Sequence, residues 1–158
     1  MSSEELRGKI QLRKEERQAA ALLGKFTGVQ VLGFLNHKQV PNWVNRSLDN
    51  FKQMSSAPDS RIDDSADEQA IESWYQGFLD SAGISGRFFC STDMTYFPWV
   101  ECTAAGKGWV HSIRKTLGSD INFLSGNKMS LTVFFEEEYE YIGFRRTQWT
   151  HNSRLTGA

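Results

Sequence analysis

Several features that would identify the class of a protein are scarce or missing in this chain of 158 residues. It has two cysteines, Cys90 and Cys102, which are too few for a disulfide framework and have no CxxC or metal-ligand spacing. Walker, Rossmann and zinc-site motifs are absent, so we expect no metal site. No apolar run approaches the ~18 residues of a membrane span, so we expect no membrane partner.

The balance of charge and the first residues also exclude some classes. The formal net charge of −1 lacks the basic excess of most nucleic-acid-binding proteins, which makes a nucleic-acid partner unexpected. The opening Met-Ser-Ser-Glu-Glu is acidic and polar, unlike a signal peptide, so the expected location is the cytoplasm. The length predicts a single domain over residues 1–158.

What the chain does contain is aromatic core material and helical patterns. It has 11 Phe, 5 Trp and 4 Tyr. Ser2 with Glu5 forms a capping-box pattern and predicts a helix over about residues 2–24, and Pro41 opens a second helix. Ser65 with Glu68 repeats the capping-box pattern before a third helix. The third helix has apolar residues at helical spacing: Ile71, Trp74, Tyr75, Phe78 and Leu79.

The strand patterns lie mostly in the second half of the chain. Strands are predicted at 26–35, 87–92, 95–103, 121–124 and 144–149, with a polar loop at 55–67 and a frayed tail over about 150–158. Residues 130–142 fit both strand alternation and one face of a helix. The run Glu136–Glu138 and the following Gly143 favour the helix. The expected fold is therefore α/β (α+β), with helices packed on a twisted, mostly antiparallel sheet.

A glycine-rich turn lies between a predicted strand and a predicted short helix. The segment Cys102–Trp109 reads Cys-Thr-Ala-Ala-Gly-Lys-Gly-Trp. Such a turn leaves backbone N–H groups unpaired at a helix N-terminus, where a phosphate is stabilised. A tight turn into a helix, with no ligand, accounts for the same residues.

Two segments together resemble a known enzyme family. Residues 106–117, Gly-Lys-Gly-Trp-Val-His-Ser-Ile-Arg-Lys-Thr-Leu, and residues 139–146, Tyr-Glu-Tyr-Ile-Gly-Phe-Arg-Arg, resemble the cofactor loop and the late helix of the GCN5-related N-acetyltransferases. The resemblance covers about residues 96–149. It implies a GNAT-like fold and an enzyme that moves an acetyl group from acetyl-CoA, as co-substrate, to an amine acceptor.

The resemblance also implies roles for individual residues. Glu101 corresponds to a general base that takes a proton from the amine, and Tyr139 to the acid that protonates the leaving thiolate. The cofactor would be held by Thr103, at the position where the family usually has Arg or Gln, and by Ala105, Gly106, Lys107, Gly108 and Asn127.

The residues leave other functions open. The acidic run Glu136–Glu140 is compatible with a non-enzymatic inhibitor or immunity-type protein that binds a toxin or nuclease. A third hypothesis is a binder of single-stranded nucleic acid, which would stack bases on Phe88, Phe89 or Trp149. The basic first helix is either a solvated helix or an arm that contacts a partner. The sequence leaves the acceptor and the oligomeric state undecided.

Overall fold

The computed structural model describes residues 2–53 and 57–148, which form four α-helices and seven strands. The helices are α1 (Ser3–Leu22), α2 (Asn42–Gln53), α3 (Glu68–Ser81) and α4 (Trp109–Leu117), and a 3₁₀ turn covers His37–Gln39. The strands are β1 (Val29–Leu35), β2 (Ser60–Asp63), β3 (Arg87–Ser91), β4 (Trp99–Ala104), β5 (Ile121–Ser125), β6 (Ser130–Glu136) and β7 (Glu140–Thr147). The predicted α+β class is confirmed.

The strands form one open sheet in the order β1-β4-β3-β5-β6-β7-β2, and every neighbouring pair runs antiparallel. Successive strand residues point to opposite faces, and both faces are apolar. Phe88 and Cys90 pack beneath α3 and α4, whereas Phe89 packs beneath α2. The sheet is therefore the middle layer between α3 and α4 on one face and α2 on the other.

Helix α1 lies beside this sandwich and is held by its second half. Ser2 caps it as predicted, because the Ser2 side chain accepts the Glu5 N–H. Ala19 and Leu22 pack against Met94 in the loop between β3 and β4. None of the helices in the described residues is both long and apolar enough to cross a membrane.

The predicted helix over residues 130–142 is wrong, because this segment contains β6, a turn and the start of β7. Strand β6 pairs with β5 on one side and β7 on the other, so residues 130–136 are hydrogen-bonded as a central strand. The glutamates that favoured a helix lie at the end of β6 and in the turn. Helix propensity has little influence there compared with pairing and burial on two sides.

Two smaller predictions are also corrected. The predicted loop over 55–67 contains the edge strand β2, which has one apolar residue, Ile62, and so carries no clear alternation. Helix α3 is capped by Asp67, whose side chain accepts the Ala70 N–H, while Ser65 hydrogen-bonds to Asp63. The predicted tail at 150–158 lies outside the described residues, as does Trp149.

Candidate functional site

The glycine turn before α4 is covered by another part of the chain. Gly108 is the N-cap of α4 with φ of 80°, so the turn leads directly into the helix as predicted. The Ala105 N–H donates to the Gly28 carbonyl oxygen at 2.8 Å. A Cβ placed on Gly28 would lie 3.1 Å from the Lys107 carbonyl oxygen and 3.5 Å from the Trp109 nitrogen. The backbone at Gly28 therefore lies against the turn where the sequence suggested a phosphate.

This cover is fixed from a second direction. The Thr27 N–H donates to Ser112 Oγ in the first turn of α4 at 2.7 Å. Gly28 itself has φ of 74°, a conformation that suits glycine and that allows its backbone to approach the turn closely. These contacts at the N-terminal end of α4 connect the segment just before β1 to the helix.

The structure does not bring the two predicted catalytic residues together. Glu101 and Leu131 are at the same level of the sheet, because both align with Phe89 through Leu124. Tyr139 lies in the turn beyond Glu136, so it is displaced from Glu101 by about 17 Å or more along the strands and about 14 Å across them. A base and an acid at this separation do not act on one acceptor and one thioester.

Two of the predicted residues, Glu101 and Asn127, have local structural partners. Arg87 Nε donates to Glu101 Oε1 at 2.8 Å, which forms an ion pair across β3 and β4. Asn127 Oδ1 accepts hydrogen bonds from Ser125 Oγ and the Met129 N–H, which closes the turn between β5 and β6. Thr103 lies on β4 opposite Arg87. Phe88 and Phe89, proposed above as stacking residues, are buried in the core.

A charged cluster joins α3 to α4. The Arg114 guanidinium donates to both Glu68 and Glu72, and His111 Nδ1 lies 3.4 Å from Glu72 Oε1. One ligand atom from each of Glu68, Glu72 and His111 falls within 4.8 Å of the others, as in a metal site. Because the buried Arg114 already pairs with both carboxylates, we interpret this cluster as an ion-pair network that holds the two helices together.

Tyrosines enclose the same arginine. The Arg114 guanidinium carbon lies 4.3 Å from the Tyr75 ring centroid and 5.5 Å from that of Tyr141. Burial raises the pKa of Tyr75 to about 12. The pKa of Tyr141 is also raised, first by burial and then by the negative charge of Glu136. The positive charge of Arg114 is therefore directed into the protein, and the carboxylates remain at the surface.

The most distinctive surface is a gathering of carboxylates at one end of the sheet, which we call the acidic end. Asp63 pairs with Glu140 across β2 and β7, and the Asp64 N–H donates to the Tyr139 carbonyl oxygen at 3.0 Å. Asp120 Oδ1 accepts the Glu136 N–H. Ten of the 19 acidic residues belong to this end: Asp63, Asp64, Asp67, Glu68, Glu72, Asp120, Glu136, Glu137, Glu138 and Glu140.

Few positive charges offset the acidic end. The ion pairs that the described residues make there use Arg61, Arg114 and His111. Arg61 is itself largely exposed and lies 3.5 Å from Glu140. Tyr139 lies in the turn that follows Glu136 and has 71% of its area exposed. The acidic end therefore combines strong negative charge with one large exposed aromatic ring.

The sequence singled out only part of this surface. Glu136–Glu140 was recognised as an acidic run, whereas Asp63, Asp64 and Asp67 appeared only as a polar loop. No local signal joins these segments, because pairing of β2 with β7 at the far edge of the sheet brings them together. The acidic residues within 63–72 were the only signal in the sequence that this segment contributes to an acidic surface.

A scan against protein-family models found no match, and neither the curated proteins nor the solved structures yielded a similar protein.

Proposed function

We propose that this protein is a non-enzymatic binding module that covers the basic surface of a protein partner with its acidic end. The single observation that carries the proposal is the gathering of carboxylates from β2, β6, β7 and the turn that contains the exposed Tyr139. A surface with this charge attracts a basic protein surface and accelerates its association. A toxin or nuclease that binds nucleic acid phosphates has such a surface, which makes an inhibitor or immunity-type role the favoured form of this function.

Hydrogen bonding at Asp63 and the exposure of the neighbouring glutamates suit the acidic end to contact with a partner. Hydrogen bonds from the Ser65 N–H and hydroxyl lower the pKa of Asp63. Glu136, Glu137 and Glu138 are exposed, in or next to the short turn between β6 and β7. Because they are consecutive in the sequence and the screening length is about 8 Å at physiological ionic strength, a partner at contact distance is attracted by their combined charge.

Tyr139 supplies the apolar contact that charge alone lacks. Exposed tyrosines are frequent among the residues that dominate binding energy at interfaces. The Tyr139 backbone is held by the hydrogen bond from the Asp64 N–H, and the turn is closed by the Glu137 N–H to the Glu140 carbonyl oxygen at 2.8 Å. A backbone that is already ordered loses less conformational freedom when it binds a partner.

The acetyltransferase hypothesis stays a prediction, with acetyl-CoA and an amine acceptor as its ligands. Two features weigh against it: Gly28 covers the glycine turn, and Glu101 lies far from Tyr139. The same acidic end also disfavours nucleic acid as the partner, because carboxylates repel phosphates. The negative charge of the acidic end therefore favours a basic protein as the partner.

The test compares two charge-reversal variants. In the first, Glu136, Glu137 and Glu138 are changed to Lys, and in the matched control Glu4, Glu5 and Glu16 on α1 are changed to Lys. Both alter the net charge equally and affect exposed residues. We expect the wild type and the control to capture the same basic protein from the source cells, and the first variant to lose it.

The captured protein is then purified and titrated directly. We expect its dissociation constant to rise with salt and to rise at least about tenfold for Tyr139→Ala. The proposal fails if both lysine variants retain the partner equally, or if the only bound proteins are insensitive to salt. It also fails if no protein is captured by the wild type under cross-linking conditions.

A further inference from the structure

A groove of about 330 Å³ lies where α1 passes the end of α4 and the loop between β3 and β4. This volume is at the lower end of the range of small-molecule pockets, about 300–1,000 Å³. It has room for roughly ten non-hydrogen atoms at about 30 Å³ each. None of the residues that line the groove belongs to the acidic end.

The groove exists because α1 is fixed at separate points. Glu15 accepts the N–H groups of Thr95 and Tyr96, which holds the middle of the helix to the loop. Leu22 and Met94 close the inner end by packing together. Leu117 at the end of α4 packs against the same cluster, and the groove lies beside it along the exposed face of α1.

The lining of the groove is apolar at its base and cationic at its rim. Leu22, Met94 and Leu117 supply the apolar surface. Arg17 and Lys25 are both exposed and line the rim, and neither forms an ion pair with another described residue. Asp93 is the acidic residue of the lining, so the charged side chains of the groove have a formal net charge of +1, which favours an anion.

Two helix C-termini lie beside the groove, and some of their carbonyl oxygens are hydrogen-bonded within the chain. The Ala21 and Leu22 carbonyl oxygens at the end of α1 accept the N–H groups of Gly24 and Lys25. The Gly118 N–H donates to the Arg114 carbonyl oxygen at the end of α4. The C-terminal ends of the helices carry partial negative charge, so the attraction for an anion comes from the side chains of Arg17 and Lys25.

We propose that this groove binds a small organic anion: an apolar carboxylate with about eight to ten carbon atoms in total. The apolar body contacts Leu22, Met94 and Leu117, and the carboxylate lies between Arg17 and Lys25. Both straight-chain and aromatic carboxylates have this chemistry. The experiment compares one of each kind, which differ in the length and shape of the apolar part.

The test titrates the full chain by calorimetry with octanoate, 4-phenylbutyrate and the uncharged 1-octanol. Ala21→Trp fills the groove from an exposed lining position, and Ala20→Trp is the matched control one residue away on the same helix. We expect single-site octanoate or phenylbutyrate binding to weaken at least about tenfold in Ala21→Trp and to persist in Ala20→Trp.

The charge is tested by removing both cations. Arg17→Gln with Lys25→Gln is expected to weaken carboxylate binding about tenfold while 1-octanol binding is unchanged, and Asp93→Asn is expected to strengthen carboxylate binding. Arg13→Gln with Lys14→Gln, two exposed cations of α1 outside the groove, is the control. The double variant keeps the test valid if Ala21→Trp does not fold.

Three results overturn the proposal. One is the absence of carboxylate binding at millimolar concentration. Another is equal binding by Ala21→Trp and Ala20→Trp, which would place the ligand elsewhere. The third is an equal loss of carboxylate and 1-octanol binding in the Arg17→Gln, Lys25→Gln variant.

Discussion

Glu15 is the residue through which α1 is expected to be attached to the rest of the protein. It is 1% exposed, and its carboxylate accepts the Thr95 N–H at 3.0 Å, the Tyr96 N–H at 2.7 Å and Gln11 Nε2 at 2.5 Å. We expect Glu15→Gln to destabilise the protein, since an amide offers one acceptor oxygen and no charge.

The magnitude follows from the number of charge-assisted hydrogen bonds. A bond to a charged group contributes about 1.5–3 kcal/mol, against about 0.5–1.5 kcal/mol for a neutral one, so two backbone bonds lose roughly 2 kcal/mol. Water recovers part of this loss, because Thr95 and Tyr96 are exposed. We therefore expect about 1.5 kcal/mol, which for a chain of this size lowers Tm by about 5 °C.

The effect has a defined dependence on pH. Burial opposes ionisation of Glu15, but hydrogen bonds from Gln11, Tyr96 and Thr95, with the charge of Lys14, outweigh it and lower the pKa below 4.5. A lowered pKa gives stability that is present above the unfolded-state value and is lost as the pH falls through the folded-state value. The difference between wild type and Glu15→Gln should thus be full at pH 7 and shrink below about pH 4.5.

Chemical denaturation at pH 7 and at pH 3, monitored by circular dichroism, measures both quantities. Glu16→Gln is the control, because Glu16 is the next residue in the same helix and is exposed. The reasoning is refuted if Glu15→Gln is as stable as Glu16→Gln at pH 7. It is also refuted if the difference between wild type and Glu15→Gln does not shrink at pH 3.

Three further predictions concern α4 and the turn before it. Arg114→Gln should lower the free energy of unfolding by about 2 kcal/mol in urea, since two carboxylates and two rings lose their cation, whereas Lys115→Gln should have an effect below about 0.5 kcal/mol. Gly28→Ala should lower the free energy of unfolding by at least about 1 kcal/mol, because Gly28 has a positive φ and lies close to the Lys107 carbonyl oxygen. Gly24→Ala is the control, because a Cβ there meets nothing within 4 Å, and an equal effect of the two variants would contradict this prediction. Acetyl-CoA should leave Tm unchanged in thermal-shift assays, and a rise that Gly108→Glu abolishes would restore the acetyltransferase hypothesis.

The helices were predictable from sequence because their signals are local. Ser2 caps α1 through a residue three positions away, and the apolar stripe of α3 lies within 14 residues. The glycine turn before α4 was recognised for the same reason, since Gly108 adopts a left-handed conformation directly before the helix. Capping, periodicity and glycine conformation are properties of neighbouring residues, so they can be recognised without knowing which elements pack together.

Tertiary structure decided the features that depend on distant segments. Residues 130–136 are a strand because β5 and β7 pair with both sides, which outweighs the helix propensity of the glutamates that follow. The glycine turn that the sequence predicts to bind a phosphate is covered by Gly28, which lies about 80 residues earlier in the chain. The acidic end exists because β2 joins the sheet at β7 and places Asp63 beside Glu140. Long-range pairing decides these positions, and no pattern within a single segment encodes it.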